Sequence, residues 1–129
     1  MPRAHRRRDR SRRSAVRAVV WDEGFADAGS AYLRPDTIVM AWRGMQVARA
    51  ATEAGHDVVA APVFPAYFDY AQEDAATEPV AIGGPVRLAD VARFSHVPGD
   101  WPRQARERVI GTQFQCWTEC FLTAGRWST

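Results

Sequence analysis

Four segments of this sequence carry an aromatic ring with polar chemistry beside it. They are Trp21 in "VVWDE", Trp42 in "TIVMAWRG", Tyr67 with Asp69 in "FPAYFDY", and Trp117 with Glu119 in "GTQFQCWTE". Three indoles, a phenol and two carboxylates suit a carbohydrate. Ring planes cover the apolar C–H faces of a pyranose, and carboxylates accept hydrogen bonds from its hydroxyls. One such ring is ordinarily a core residue. Four rings at successive strand ends, two followed by an acid at i+2, favour a shared pocket, because residues i and i+2 of an extended segment point to the same side.

The elements that would position these groups are short. "AVRAVVW" is an apolar run ending at Trp21, and the Gly-, Asp- and Pro-rich "DEGFADAGSAYLRPD" after it reads as a loop. "TIVMAW", residues 37–42, is a second β-branched run. After Gly44, Met45, Val47, Ala48, Ala51 and Ala54 recur with helical spacing, and Gly55 is a helix stop. "HDVVAAP" is a third strand, and strand, helix, glycine, strand is a right-handed crossover joining parallel neighbours. Residues 62–108 are looser, with brief helices expected near Val86 and at Pro102. "RVIGTQFQCW" is the fourth strand. The predicted fold class is α/β, and in a parallel sheet all four C-terminal strand ends lie on one side, the side where βα barrels bind ligands.

Composition narrows the function classes. The chain has 129 residues, the size of one domain, and a net charge of +2 that hides a division. Residues 1–17 contain eight arginines and one acid, Asp9, and almost nothing apolar, which predicts a disordered arm. The remainder has nine arginines against fourteen acids, a net −5, so the body is not expected to bind nucleic acid. No apolar run is long enough to span a bilayer, and no membrane partner is expected. Cys116 and Cys120 lack a second pair to complete a zinc set and read as ordinary thiols; no metal and no cofactor is expected. His5, His56 and His96 have no ligand spacing. His56, just before a strand, reads as a buried or capping histidine, and Ser95 beside His96 is no triad. Cell location is left unassigned.

Taken in order, "VVWDE", "TIVMAWRG", "APVFPAYFDY" and "GTQFQCWTE" resemble the strand-end motifs in the C-terminal half of the catalytic barrel of β-N-acetylhexosaminidases, glycoside hydrolase family 20. The likeness runs from Val19 to Glu119. It implies a partial (β/α)8 TIM barrel, about the last four βα units, over residues 18–129. It also implies the family's activity, hydrolysis of terminal non-reducing N-acetyl-D-hexosamine residues, with N-acetylhexosamine-containing glycans as partners. By the same resemblance Trp21, Trp42 and Trp117 line the pocket, with Trp42 and Trp117 walling the acetamido group. Tyr67 holds the acetamido carbonyl oxygen, while Asp69 and Glu119 bind sugar hydroxyls. Catalysis in the family is substrate-assisted and retaining: the acetamido oxygen attacks the anomeric carbon, so a general acid and an amide-orienting group are needed rather than a nucleophilic carboxylate.

In the family an adjacent Asp and Glu supply those two groups, and no matching pair precedes Trp21. Asp22 and Glu23 follow the tryptophan of a strand and lack the preceding His and Gly residues, so they read as a loop-edge pair. A whole barrel needs about 250 residues, so half is expected, with both ends those of a truncated or frame-shifted reading. The isolated chain is then expected to be inactive without the other barrel half. Two alternatives remain: a non-catalytic amino-sugar-binding module, and a polyanion-binding role for the arginine arm alone.

Overall fold

The computed structural model describes residues 16–27, 29–74, 76 and 78–118. The arm up to residue 15, Glu119 and Cys120 lie outside the described residues.

Four strands form one parallel sheet in chain order: β1 (Val19–Trp21), β2 (Ile38–Ala41), β3 (Asp57–Ala60) and β4 (Val109–Thr112). β1 pairs with β2 from Val19 opposite Ile38, and β2 with β3 from Ile38 opposite Asp57. β3 and β4 slip by one residue: Val58 faces Val109, Val59 faces Gly111, and Ile110 is the extra residue of a bulge. The expected crossover is present. After Gly44, at φ 136°, helix α2 (Met45–Glu53) runs back along the sheet to β3. Gly44 suits the sharp entry because only glycine takes that φ without strain.

The core lies on one face of the sheet. Val39, Ala41 and Val58 point to one face of the sheet, where Ala48 and Ala51 of α2 and Trp101 and Ala105 close over them. Small alanines let helix and sheet approach closely, and Trp101 fills the remaining volume. The alternate positions of β2 and β3, Ile38, Met40, Asp57 and Val59, are only half-buried. The β-branched runs therefore alternate in burial instead of being buried on both faces, as a parallel strand between two helix layers would be.

Four further short helices punctuate the connections. α1 (Glu23–Ala26) and a 3₁₀ turn (Ser30–Tyr32) occupy the stretch read as loop. α3 (Val63–Ala66) follows β3, with Phe64 extended inside it. α4 (Leu88–Arg93) begins two residues after Val86, where Asp90 Oδ2 accepts the Arg87 N–H at 3.1 Å, and α5 (Arg103–Glu107) begins directly after Pro102. Arg17, assigned from sequence to the arm, is tied to the folded body: its guanidinium donates to the Asp36 carbonyl oxygen at 2.8 Å and to the Asp57 carboxylate. Asp57 also pairs with Arg108 at 3.3 Å, so it anchors two arginines at the N-terminal side of β3.

Candidate functional site: an aromatic cavity at the strand ends

The residues after β1 and β2 are locked together by one buried carboxylate. Asp22 has no accessible surface. Its Oδ2 accepts the backbone N–H of Trp42 at 2.9 Å and of Arg43 at 3.0 Å. Burial pushes the Asp22 carboxyl above its ordinary value, and the hydrogen bonds from Arg43 and Trp42 pull the other way. The Arg43 guanidinium lies 3.5 Å from Asp22 Oδ1 and forms two bonds with Asp27, at 3.0 and 3.1 Å. That pairing holds Asp27 below the usual carboxylate range.

Beyond this lock the rings converge. Trp21, Trp42, Tyr67 and Trp117, with Glu23, line one open cavity of about 250 Å³. Trp21 and Trp117 lie 6.4 Å apart between ring centroids, tilted by 51°. The Trp42 indole donates its Nε1–H to Glu23 Oε1 at 2.9 Å, and the Arg43 guanidinium carbon sits 5.6 Å from the Trp42 ring centroid. Tyr67 is placed by backbone pairing. It bridges Gln115 in parallel register, the neighbouring Phe68 N–H donates to the Gln115 carbonyl at 2.7 Å, and the Gln115 N–H donates to the Ala66 carbonyl at 2.8 Å. Burial raises the Tyr67 phenol above its ordinary value, with the side chains of Trp117 and Gln115 opposing. At neutral pH the hydroxyl keeps its proton and is a hydrogen-bond donor.

Four of the six residues singled out by sequence thus meet. Two of them reach the cavity by a route other than the one expected. β3 stops at Ala60 and β4 at Thr112, so Tyr67 and Trp117 stand seven and five residues beyond their strands, on connections rather than strand ends. Asp69 does not line the cavity. Residues 68 and 69 form a turn, so the i+2 rule for extended chain does not govern it. Asp69 is 4% exposed with both carboxylate oxygens unpartnered. Glu119 lies outside the described residues. Glu23 is the cavity residue that sequence reasoning passed over, and its position directly after a strand-end Trp–Asp was the available signal.

Other features are structural. His56 is buried, its Nδ1 is 3.3 Å from the Thr37 carbonyl, and its ring meets the edge of Phe25 at 5.9 Å. The Ser95 hydroxyl donates to the Val97 carbonyl at 3.0 Å, which closes a turn. A larger hollow of about 500 Å³ is lined by residues of the 71–85 segment, including Glu73, Asp74 and Glu78, and shares no residue with the aromatic cavity. Its lining has no aromatic side chain. Among the described residues no group of three His, Cys, Asp or Glu side chains is placed to hold a metal, and no helix is long and apolar enough to cross a membrane.

Comparison with known proteins decides the family. The model of the glycosyl hydrolase family 20 catalytic domain matches residues 5–129. The chain belongs to glycosyl hydrolase family 20. A family relative, a beta-hexosaminidase of Porphyromonas gingivalis, is 36% identical over 112 residues, covering 86% of this chain and 14% of the relative. Two solved family 20 structures from Vibrio harveyi, both exo-β-N-acetylglucosaminidase, are 26% identical to it. An inactive D437A mutant superposes with a TM-score of 0.65 and the complex with N-acetylglucosamine with 0.61; each match covers 84% of this chain and 17% of the other. The chain thus spans less than a fifth of the length of these relatives. Its parallel α/β sheet is the fold these family 20 enzymes share with it, and the family's chemistry is glycoside hydrolysis.

Proposed function

We propose that this chain forms the amino-sugar-facing wall of a β-N-acetylhexosaminidase site, whose parent activity is removal of terminal non-reducing N-acetyl-D-hexosamine residues by substrate-assisted, retaining catalysis. The observation that carries the reading is the single cavity lined by Trp21, Trp42, Trp117 and Tyr67. Three indoles give the apolar planes a pyranose and an acetamido methyl pack against. A phenol whose proton is retained supplies the donor that an acetamido carbonyl requires as it becomes the attacking oxygen and its charge develops. Asp69, whose two buried carboxylate oxygens have no partner among the described residues, and Glu119 are assigned to sugar hydroxyls through the family resemblance.

The general acid is assigned to a complementary portion of the barrel. Glu23 is the one carboxylate among the described residues lining the cavity, and its Oε1 is already engaged as acceptor of the Trp42 indole N–H. The half-buried face of β2 and β3, with Met40 and Val59, supports the same view, because parallel sheets are ordinarily covered on both sides. Activity is therefore proposed to require the other barrel half.

Titration of the chain with N-acetylglucosamine, read by tryptophan fluorescence, is expected to saturate, and to lose its signal change in Trp117→Ala. A chromogenic N-acetylglucosaminide is expected to remain intact. Turnover by this chain that vanishes in Glu23→Gln would overturn the assignment of the acid. Absence of any sugar binding would overturn the pocket. Saturable binding in every context without turnover, complementary half included, would establish the second reading, a non-catalytic amino-sugar-binding module. The aromatic cavity with its carboxylate already engaged is what favours that alternative.

A further inference from the structure

We infer that Glu23 is a positioning residue of the aromatic cavity: it fixes the Trp42 indole by its ring edge and so sets the shape of the wall presented to a ligand. The ligand-binding consequence rests on the amino-sugar reading above, whereas the anchoring of the ring does not.

The geometry builds from the backbone outward. Asp22, taking the N–H groups of Trp42 and Arg43, fixes where the Trp42 Cα stands relative to β1. It leaves the indole free to rotate about its side-chain torsions. Glu23, first residue of α1, removes that freedom: Oε1 accepts the Nε1–H at 2.9 Å, in a charge-assisted bond roughly twice as strong as a neutral one. The ring is held from a second direction by Arg43, 5.6 Å from its centroid, and Arg43 is itself braced by Asp27. Edge and face of one indole are thus gripped by two charges from neighbouring loops. Oε2 of Glu23 is shielded and makes no hydrogen bond, while Oε1 takes the indole with the Arg43 guanidinium 4.0 Å away. A half-buried indole N–H without its acceptor loses a hydrogen bond that water replaces poorly, and the ring then samples other rotamers.

The test uses the whole chain with ¹⁵N-labelled indoles. The Trp42 Nε1–H resonance is assigned by its loss in Trp42→Phe, and its exchange with solvent is compared with that of Trp21. In the unchanged chain the Trp42 proton is expected to exchange more slowly. Glu23→Ala is expected to raise that exchange about tenfold or more and to weaken N-acetylglucosamine binding roughly tenfold, the scale of one charge-assisted hydrogen bond. Glu23→Gln retains an acceptor oxygen and is expected to restore most of both, which also excludes general misfolding as the cause. Unchanged exchange in Glu23→Ala would overturn the inference, and so would a Glu23→Gln chain that folds yet behaves as Glu23→Ala. If no variant and no unchanged chain binds the sugar, the amino-sugar reading fails, and the exchange rates alone still decide the anchoring.

Discussion

The indoles of Trp21 and Trp117 stand 6.4 Å apart although their strands are the two edges of the sheet. Three strand-to-strand steps of about 4.8 Å would separate those edges by roughly 14 Å in a flat sheet. The rings meet because Trp117 stands five residues beyond β4, on a connection that the Tyr67–Gln115 bridge holds. That approach is what turns four separate motifs into one cavity.

Two indoles this close, tilted by 51°, couple their electronic transitions. Circular dichroism of the chain is expected to show a coupled pair of bands in the indole region. Trp21→Phe and Trp117→Phe should each abolish the same pair, while Trp101→Phe, which changes a core residue, should leave it. Survival of the pair in either of the first two variants would separate the rings.

Tyr67 is expected to discriminate the N-acetyl group. Tyr67→Phe removes the hydroxyl and keeps the ring, so N-acetylglucosamine affinity should fall by about tenfold, the value of one hydrogen bond of about 1.4 kcal/mol, while affinity for glucose is unchanged. Because burial raises the phenol, its ionisation in a spectrophotometric titration should come above pH 10, and binding should persist up to that point. Equal losses for both sugars would place Tyr67 elsewhere.

Asp22 and Asp27 should answer acid in opposite senses. Burial raises Asp22, so it protonates above its ordinary 3.8; the Arg43 hydrogen bonds lower Asp27, which protonates below 3.8. The sign for stability follows. The Asp27–Arg43 pair contributes above pH 3.8 and is lost as the pH falls through the lowered value. The contribution of Asp22 is complete below 3.8 and declines as the pH rises through the raised value. Carboxyl-carbon NMR titration of the two side chains checks the order, and the reverse order would show that the hydrogen bonds to Asp22 outweigh its burial.

Gly84 has φ 139°, and a Cβ there would meet the Ala71 carbonyl oxygen at 2.8 Å. Gly84→Ala combines backbone strain with a clash against main chain, and a loss of about 1–3 kcal/mol is expected in urea unfolding. Gly99→Ala, with open space at its Cβ position, is the control and should be near neutral.

Much of this architecture is legible in the chain. The run "TIVMAW", the helical spacing from Met45 and the stop at Gly55 mark the crossover, because periodicity and glycine conformation act locally. What is not legible depends on tertiary partners. α1 forms in a Gly- and Asp-rich stretch because Asp22 is held by the next strand's loop. Tyr67 enters the cavity through a bridge to Gln115, forty-eight residues on, not by finishing a strand. The i+2 reading of Asp69 does not apply because residues 68 and 69 form a turn and not extended chain. Glu23 reads as an ordinary loop acid until the indole it grips is seen beside it.

The one-residue slip at Ile110 lets β4 carry an additional residue without losing its neighbours: Val109 and Gly111 still face the adjacent Val58 and Val59. Pairing, and not the parity of the chain, therefore decides what comes next, and the Tyr67–Gln115 bridge takes over where the ladder ends at Thr112. Excising Ile110 would close the ladder into an even one and leave Gln115 beside Tyr67.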